Sequence, residues 1–179
     1  MPEPLRPSPA KAFTRENWFY IPTIASATKA PTVAEATAAS ALDFTNMVFA
    51  DGAPTPEQNT NLVDQNRRYG DAANYQFVGT TTYGGNKLTA AFNQQAAALA
   101  DAVKFWEKFQ AGNVTGFFGY RANVPKATAV TAGQFMDIFP AEVGPLMPTK
   151  SGDGEGAEGA VTGMWAITDT PAFKIAVLA

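Results

Sequence analysis

From Asn113 onward the hydrophobic residues of this chain recur at every second position, and that alternation limits its possible folds more than any other feature. A period of two places successive side chains on opposite faces of an extended backbone, so it specifies strands that bury one face. Four segments carry it: residues 114–121, 134–143, 160–168 and 172–178. In the third, Val161, Trp165 and Ile167 share a face; in the fourth, Phe173, Ile175 and Val177 do. Trp165 is therefore an expected core anchor, since a buried indole fills a large volume between layers.

One stretch repeats at helical spacing instead. Residues 94–110 are rich in Ala, Leu, Lys and Glu, with Asn93 placed to cap the start and Gly112 to follow the end. Leu99, Ala102, Val103, Trp106 and Phe109 form an apolar stripe, and Asp101, Lys104 and Lys108 lie opposite. The spacing predicts an amphipathic helix covering a sheet, with Leu99, Trp106 and Phe109 as anchors and Trp106 in the core rather than serving as a ligand platform.

The first half is punctuated by turn formers. Residues 1–16 are read as an extended arm, because prolines at 2, 4, 7 and 9 each fix φ and lack an N–H. Residues 18–24 (W-F-Y-I-P-T-I) read as an edge strand or the end of one, since Pro22 falls in the second half. Pro31-Thr32 opens a short Ala-rich helix over 33–41, and 42–49 returns to strand character. Residues 51–61 read as a surface loop, as do residues 145–159, whose second part is acidic and glycine-rich. Gly84-Gly85-Asn86 reads as the turn of a hairpin joining 76–83 to 87–93. The expectation is one mainly β domain over 17–179, a sandwich or barrel with a single flanking α-helix.

With 179 residues, 46% hydrophobic and 16% charged, a sizeable core is possible and little charged surface is left over, which favours burial in an assembly. The chain has neither His nor Cys, so disulfides, thiolate metal sites and most imidazole chemistry are excluded. A net charge of -3 argues against tight wrapping of nucleic acid and fits a conduit that repels a passing polyanion. No apolar run is long enough for a bilayer, and the Pro-rich start lacks a signal peptide's apolar core, so the product is expected in the cytoplasm when made.

Few constellations could carry chemistry. Asp137 and Glu142 are five apart and fall on opposite faces of a regular strand, which speaks against a paired-carboxylate hydrolase. Asp153, Glu155 and Glu158 superficially resemble a calcium loop but lack its third alternating ligand and closing bidentate Glu. They read better as a solvated loop contacting another subunit, a role shared with the loop bearing Pro54 and Pro56. Gly84-Gly85 is too short to cradle phosphate, and Arg67-Arg68 beside Tyr69 reads as a rim pairing site. No cofactor, metal or catalytic residue is expected.

The phrases W-F-Y-I-P-T-I, P-T-V-A-E, V-T-G-F-F-G-Y-R, Q-F-M-D-I-F-P-A-E-V-G-P and I-T-D-T-P-A-F-K-I-A-V-L-A together resemble the major tail proteins, or tail tube proteins, of long-tailed phages infecting actinobacteria. The resemblance covers residues 17–179 and leaves the arm outside. It implies a tail tube fold whose subunits form a hexameric ring with a continuous inner β-barrel. Rings would stack into a tube through which DNA is ejected into the host, with a tape-measure protein filling the lumen during construction. The subunit would then be a virion protein assembled in host cytoplasm, with itself and other tail proteins as partners and no membrane. Its lumen wall would come from residues 76–93 or from the strands at 114–121 and 134–143. The alternatives are the tube of a contractile tail or related injection machine, a monomeric carbohydrate-binding β-sandwich, and an enzyme working through carboxylates alone.

Overall fold

A computed structural model describes residues 14–98 and 100–179. Most of the expected arm, and the expected anchor Leu99, lie outside the described residues. Among the described residues there are ten strands and two α-helices, with a short 3-10 turn at Ala50–Gly52: β1 (Asn17–Ile21), α1 (Val33–Ala36), β2 (Leu42–Asp43), β3 (Glu57–Asp64), β4 (Gln76–Gly84), β5 (Lys87–Ala91), α2 (Asp101–Phe109), β6 (Val114–Arg121), β7 (Phe135–Val143), β8 (Met147–Lys150), β9 (Gly159–Ile167) and β10 (Ala172–Ala176).

Eight strands make one curled antiparallel sheet, running β2-β1-β6-β7-β9-β5, with β10 added to β7 and β8 to β9. The two ends of this curl approach each other through one short segment. Just after β2, the Ala91 N–H donates to Met47 O at 2.7 Å and the Phe49 N–H to Thr89 O at 3.1 Å, so the chain between β2 and β3 pairs with β5. Curling lets one face enclose its own core.

That face holds Trp18, Tyr20, Phe44, Leu88, Phe118, Phe139, Val143, Val161 and Trp165, and α2 packs onto it with Phe105 and Phe109. The opposite face of β1, β6 and β7 is buried too, by Phe19, Ile21, Met136 and Ile138 under Ile24, Ala36, Val130 and Val177. All five residues of β1 are buried, and the strand lies between β2 and β6. An edge position is thus corrected, while the expected strand end holds: Pro22 falls one residue past the ladder, so its missing N–H disrupts nothing.

Other boundaries shift for local reasons. Helix α2 starts at Asp101 rather than 94, because Asn93 Oδ1 accepts the Gln95 N–H at 3.0 Å and caps a turn there. Phe109 is fully buried, whereas Trp106 is half-buried at the core margin, 5.3 Å from Phe92. Phe105, absent from the expected stripe, is fully buried. In β10 the register slips between Ala172 and Ile175, with Lys174 at φ 52, so Phe173 turns outward while Val177 stays buried.

Arg121, at the end of β6, is 1% exposed. Its Nη1 donates to Gln134 Oε1 (2.8 Å) and Ala129 O (3.2 Å), its Nη2 to Thr128 O (2.7 Å), and its guanidinium lies over Phe19. These bonds fasten the 122–134 connection to the sheet.

Helix α1 has only four residues and stands on a capping box. Thr32 Oγ1 accepts the Glu35 N–H at 3.1 Å while Glu35 Oε2 accepts the Thr32 N–H at 2.8 Å, and Glu35 Oε1 also takes the Ala25 N–H. Replacing Thr32 with Ala is expected to cost about 1 kcal/mol, read as a fall in thermal midpoint of roughly 2–4 °C. The backbone bonds from Thr32 and Ala25 hold the Glu35 carboxyl below its ordinary value of 4.5. Its folded pKa being depressed, its contribution is complete above that value and falls away as pH drops through the lower folded value. The Glu35→Gln chain should accordingly show a flatter stability profile in that acid window.

Candidate functional site

Strands β3 and β4 form a second, two-stranded sheet apart from the curled one. Their register runs from Glu57↔Gly84 to Asp64↔Gln76, interrupted by an irregularity between Thr60 and Leu62. This corrects two expectations: residues 57–61 are strand rather than loop, and β4 pairs with β3, not with β5. The Gly84-Gly85-Asn86 segment does not reverse the chain. Gly85 presses against Trp165, where a Cβ would collide with the backbone oxygen, so glycine serves close approach rather than turning. Strand β5 continues onward and pairs with β9.

Asn86 holds the base of the hairpin to the body. Its Oδ1 accepts both the Trp165 Nε1–H (2.9 Å) and the Thr55 N–H (3.1 Å), and its carbonyl accepts the Trp165 N–H (3.2 Å). The 3%-exposed Trp165, expected as an anchor, thus joins core to hairpin.

The hairpin shows apolar side chains to solvent on both faces. Leu62 opposes Val78 and Val63 opposes Phe77, with exposures of 57, 75, 46 and 57% respectively. Tyr69 and Tyr75 are exposed in the connection, where Arg67 Nε donates to Asp71 O and the Arg68 N–H to Asp71 Oδ2. The apolar pairs are what the sequence reading passed over. Their signal was the two dipeptides Leu62-Val63 and Phe77-Val78, bracketing a turn-rich stretch.

A second projection is the β8–β9 hairpin, whose ladder includes Met147↔Thr162 and Lys150↔Gly159. Residues 147–150, expected as loop, are therefore strand. The tip holds the three carboxylates singled out above. Asp153 pairs with Lys150 at 2.7 Å, Glu158 closes the loop by donating its N–H to Ser151 Oγ, and Glu155 is exposed. Pro54 is buried inside the subunit and Pro56 half-buried. Asp137 Oδ1 accepts the Lys174 N–H at 2.7 Å and shares the parity of Phe139, while Glu142 shares that of Ile138, which puts the two carboxylates on opposite faces. Among the described residues no group of three or more Asp, Glu, His or Cys is placed to hold a metal ion, and no helix is long and apolar enough to cross a membrane.

Between the main sheet and the hairpin base lies a groove of about 480 Å³. Tyr120, on its wall, donates its hydroxyl to Glu16 Oε1 at 2.8 Å. Burial, then the Glu16 contact and the charges of Glu16 and Asp137, push the phenol up to about 12, so it stays a neutral donor.

The phage tail tube protein family matches this sequence over residues 6–179. The chain belongs to that family. The match takes in residues 6–16, so most of the Pro-rich arm falls within a tail tube sequence, beyond the stretch in which the resemblance was read. Its role is that of a structural protein of the tail tube, and its place is the virion tail. A solved chain described as the tail of an empty GTA particle, refined with C6 symmetry, is similar at 11% identity and a TM-score of 0.42. The similarity spans 71% of this tail tube protein and 81% of that chain. No curated protein matches in sequence.

Proposed function

We propose that this tail tube protein works by polymerising into stacked hexameric rings, with the β3–β4 hairpins set side by side as the wall of a lumen through which DNA leaves the particle. The observation that carries the reading is the hairpin itself, a two-stranded sheet with unburied apolar pairs on both faces. An isolated hairpin is marginal in water, and its unpaired outer edges template further strands. Closure into a ring answers both problems. Burial on both faces supports this hairpin over β6 and β7, the other expected wall strands. The ring number is the one the family resemblance implies.

Charge supports the conduit. The hairpin strands carry Glu57 and Asp64 and no Lys or Arg, so a wall of them repels phosphate and leaves DNA mobile. A tape-measure protein occupies the lumen during construction in the host cytoplasm, the β8–β9 tip with Asp153, Glu155 and Glu158 meets the adjacent ring, and no catalysis is required. Electron microscopy of the purified chain over a concentration series should show rings and then tubes with six-fold averages. A monomer at every concentration overturns the reading.

A further inference from the structure

We propose that the groove beside the hairpin base receives the Pro-rich arm, residues 1–13, of a neighbouring copy. The inference rests on the assembly proposed above. Trp18, Tyr83, Tyr120, Phe139 and Phe173 give the groove aromatic walls. Glu16, Glu57 and Asp137 supply its charge, and among the described residues no Lys or Arg lines it. It is an acidic, aromatic slot.

The arm has the complementary chemistry. Its prolines at 2, 4, 7 and 9 favour a polyproline II path, and its charges are Glu3 against Arg6 and Lys11. Proline-rich segments dock on aromatic grooves because ring faces meet pyrrolidine faces and little chain entropy is lost on binding. Arg6 and Lys11 find carboxylates at the rim, while Leu5 and Phe13 add apolar contact.

Reach and attachment favour a second copy over the arm's own subunit. Thirteen residues at ~3.1 Å each span about 40 Å, and a domain of this size has a radius of gyration of roughly 16 Å. Thirteen residues on such a path would reach a full subunit width. Its own groove begins at Glu16, beside the point of attachment at Thr14, whose φ of 61 already turns the chain, so an arm seated there uses only its last few residues. A groove on the next copy uses the arm's full reach. Each copy then gives one arm and receives one, a head-to-tail contact that a ring or stack repeats.

The test places p-benzoylphenylalanine at Phe173, which is half-exposed at the groove, in the full chain. Tubes assembled from an equal mixture of unlabelled and ¹⁵N-labelled chains are irradiated and the joined peptides identified by mass spectrometry. Adducts to residues 1–13, with isotopically mixed and unmixed pairs in equal amounts, are expected. Adducts to the arm that are never mixed assign the groove to the arm's own subunit, and adducts elsewhere or none in intact tubes remove the arm from it; each overturns the proposal. Tubes with the wrong adduct leave the assembly reading standing, whereas absence of tubes from the unmodified chain sinks both. The same probe at Tyr83 serves if position 173 disturbs assembly.

Discussion

Replacing Phe118 by alanine is expected to lower the unfolding free energy of the subunit by about 3–5 kcal/mol. The ring is fully buried. It stands 5.0 Å from Trp165, 5.2 Å from Phe44 and 6.4 Å from both Tyr20 and Phe109, centroid to centroid. Those partners come from β1, the segment after β2, α2 and β9, so one side chain ties four elements that are distant in sequence. Removing it leaves a void that no single neighbour can fill, and cavity and lost transfer energy add. For a chain of this length the thermal midpoint should fall by roughly 6–20 °C, as calorimetry of the unassembled subunit would show. Phe117, its half-buried neighbour on the other face, should cost clearly less. A loss below about 1 kcal/mol at Phe118 would mean that the aromatic cluster is not the keystone described.

The paired change Val63→Lys with Phe77→Asp is expected to abolish assembly while sparing the fold. The two residues oppose each other directly, so the new side chains form a cross-strand ion pair and the register survives. Both side chains are about half exposed in the subunit, and its stability should stay within about 0.5 kcal/mol of the parent. Each apolar side chain buried between copies contributes about 1.5–3 kcal/mol. Losing both weakens each contact by roughly 3–6 kcal/mol, or about 10² to 10⁴ in association constant. Sedimentation velocity should find monomers at concentrations where the parent forms tubes. An unchanged assembly midpoint would remove the hairpin from the wall.

How much of this was legible in the sequence depended on where each segment finds its partners. Strands β6, β7 and β9 were readable to within a residue, because their packing partners lie in the same chain and keep them rich in apolar residues. Strand β3 was not: E-Q-N-T-N-L-V-D has no alternating apolar face, and among the described residues none buries it. Gly84-Gly85 was misread because glycine serves both turning and close approach, and only the position of Trp165 distinguishes them. Arg121 carried no signal. A cation on a strand reads as surface, yet here three carbonyl and amide oxygens replace water around it. The candidate site was read as two loops, of which residues 57–61 and 147–150 are strand, and its apolar content was not legible.

The Asn86 clasp has a mechanical consequence. One amide oxygen receives bonds from both the entering stem, through Thr55, and the core wall, through Trp165, so it fixes the angle at which a long lever leaves the body. Nine residues of β4 at ~3.3 Å each make that lever about 30 Å long. A tilt of about 10° at the clasp displaces the far end by roughly 5 Å, close to one strand spacing. Pivot slack of that size moves a hairpin out of line with its neighbour by a whole strand. In the proposed ring, the tolerance of the wall is therefore set at a single side chain at the hairpin's base.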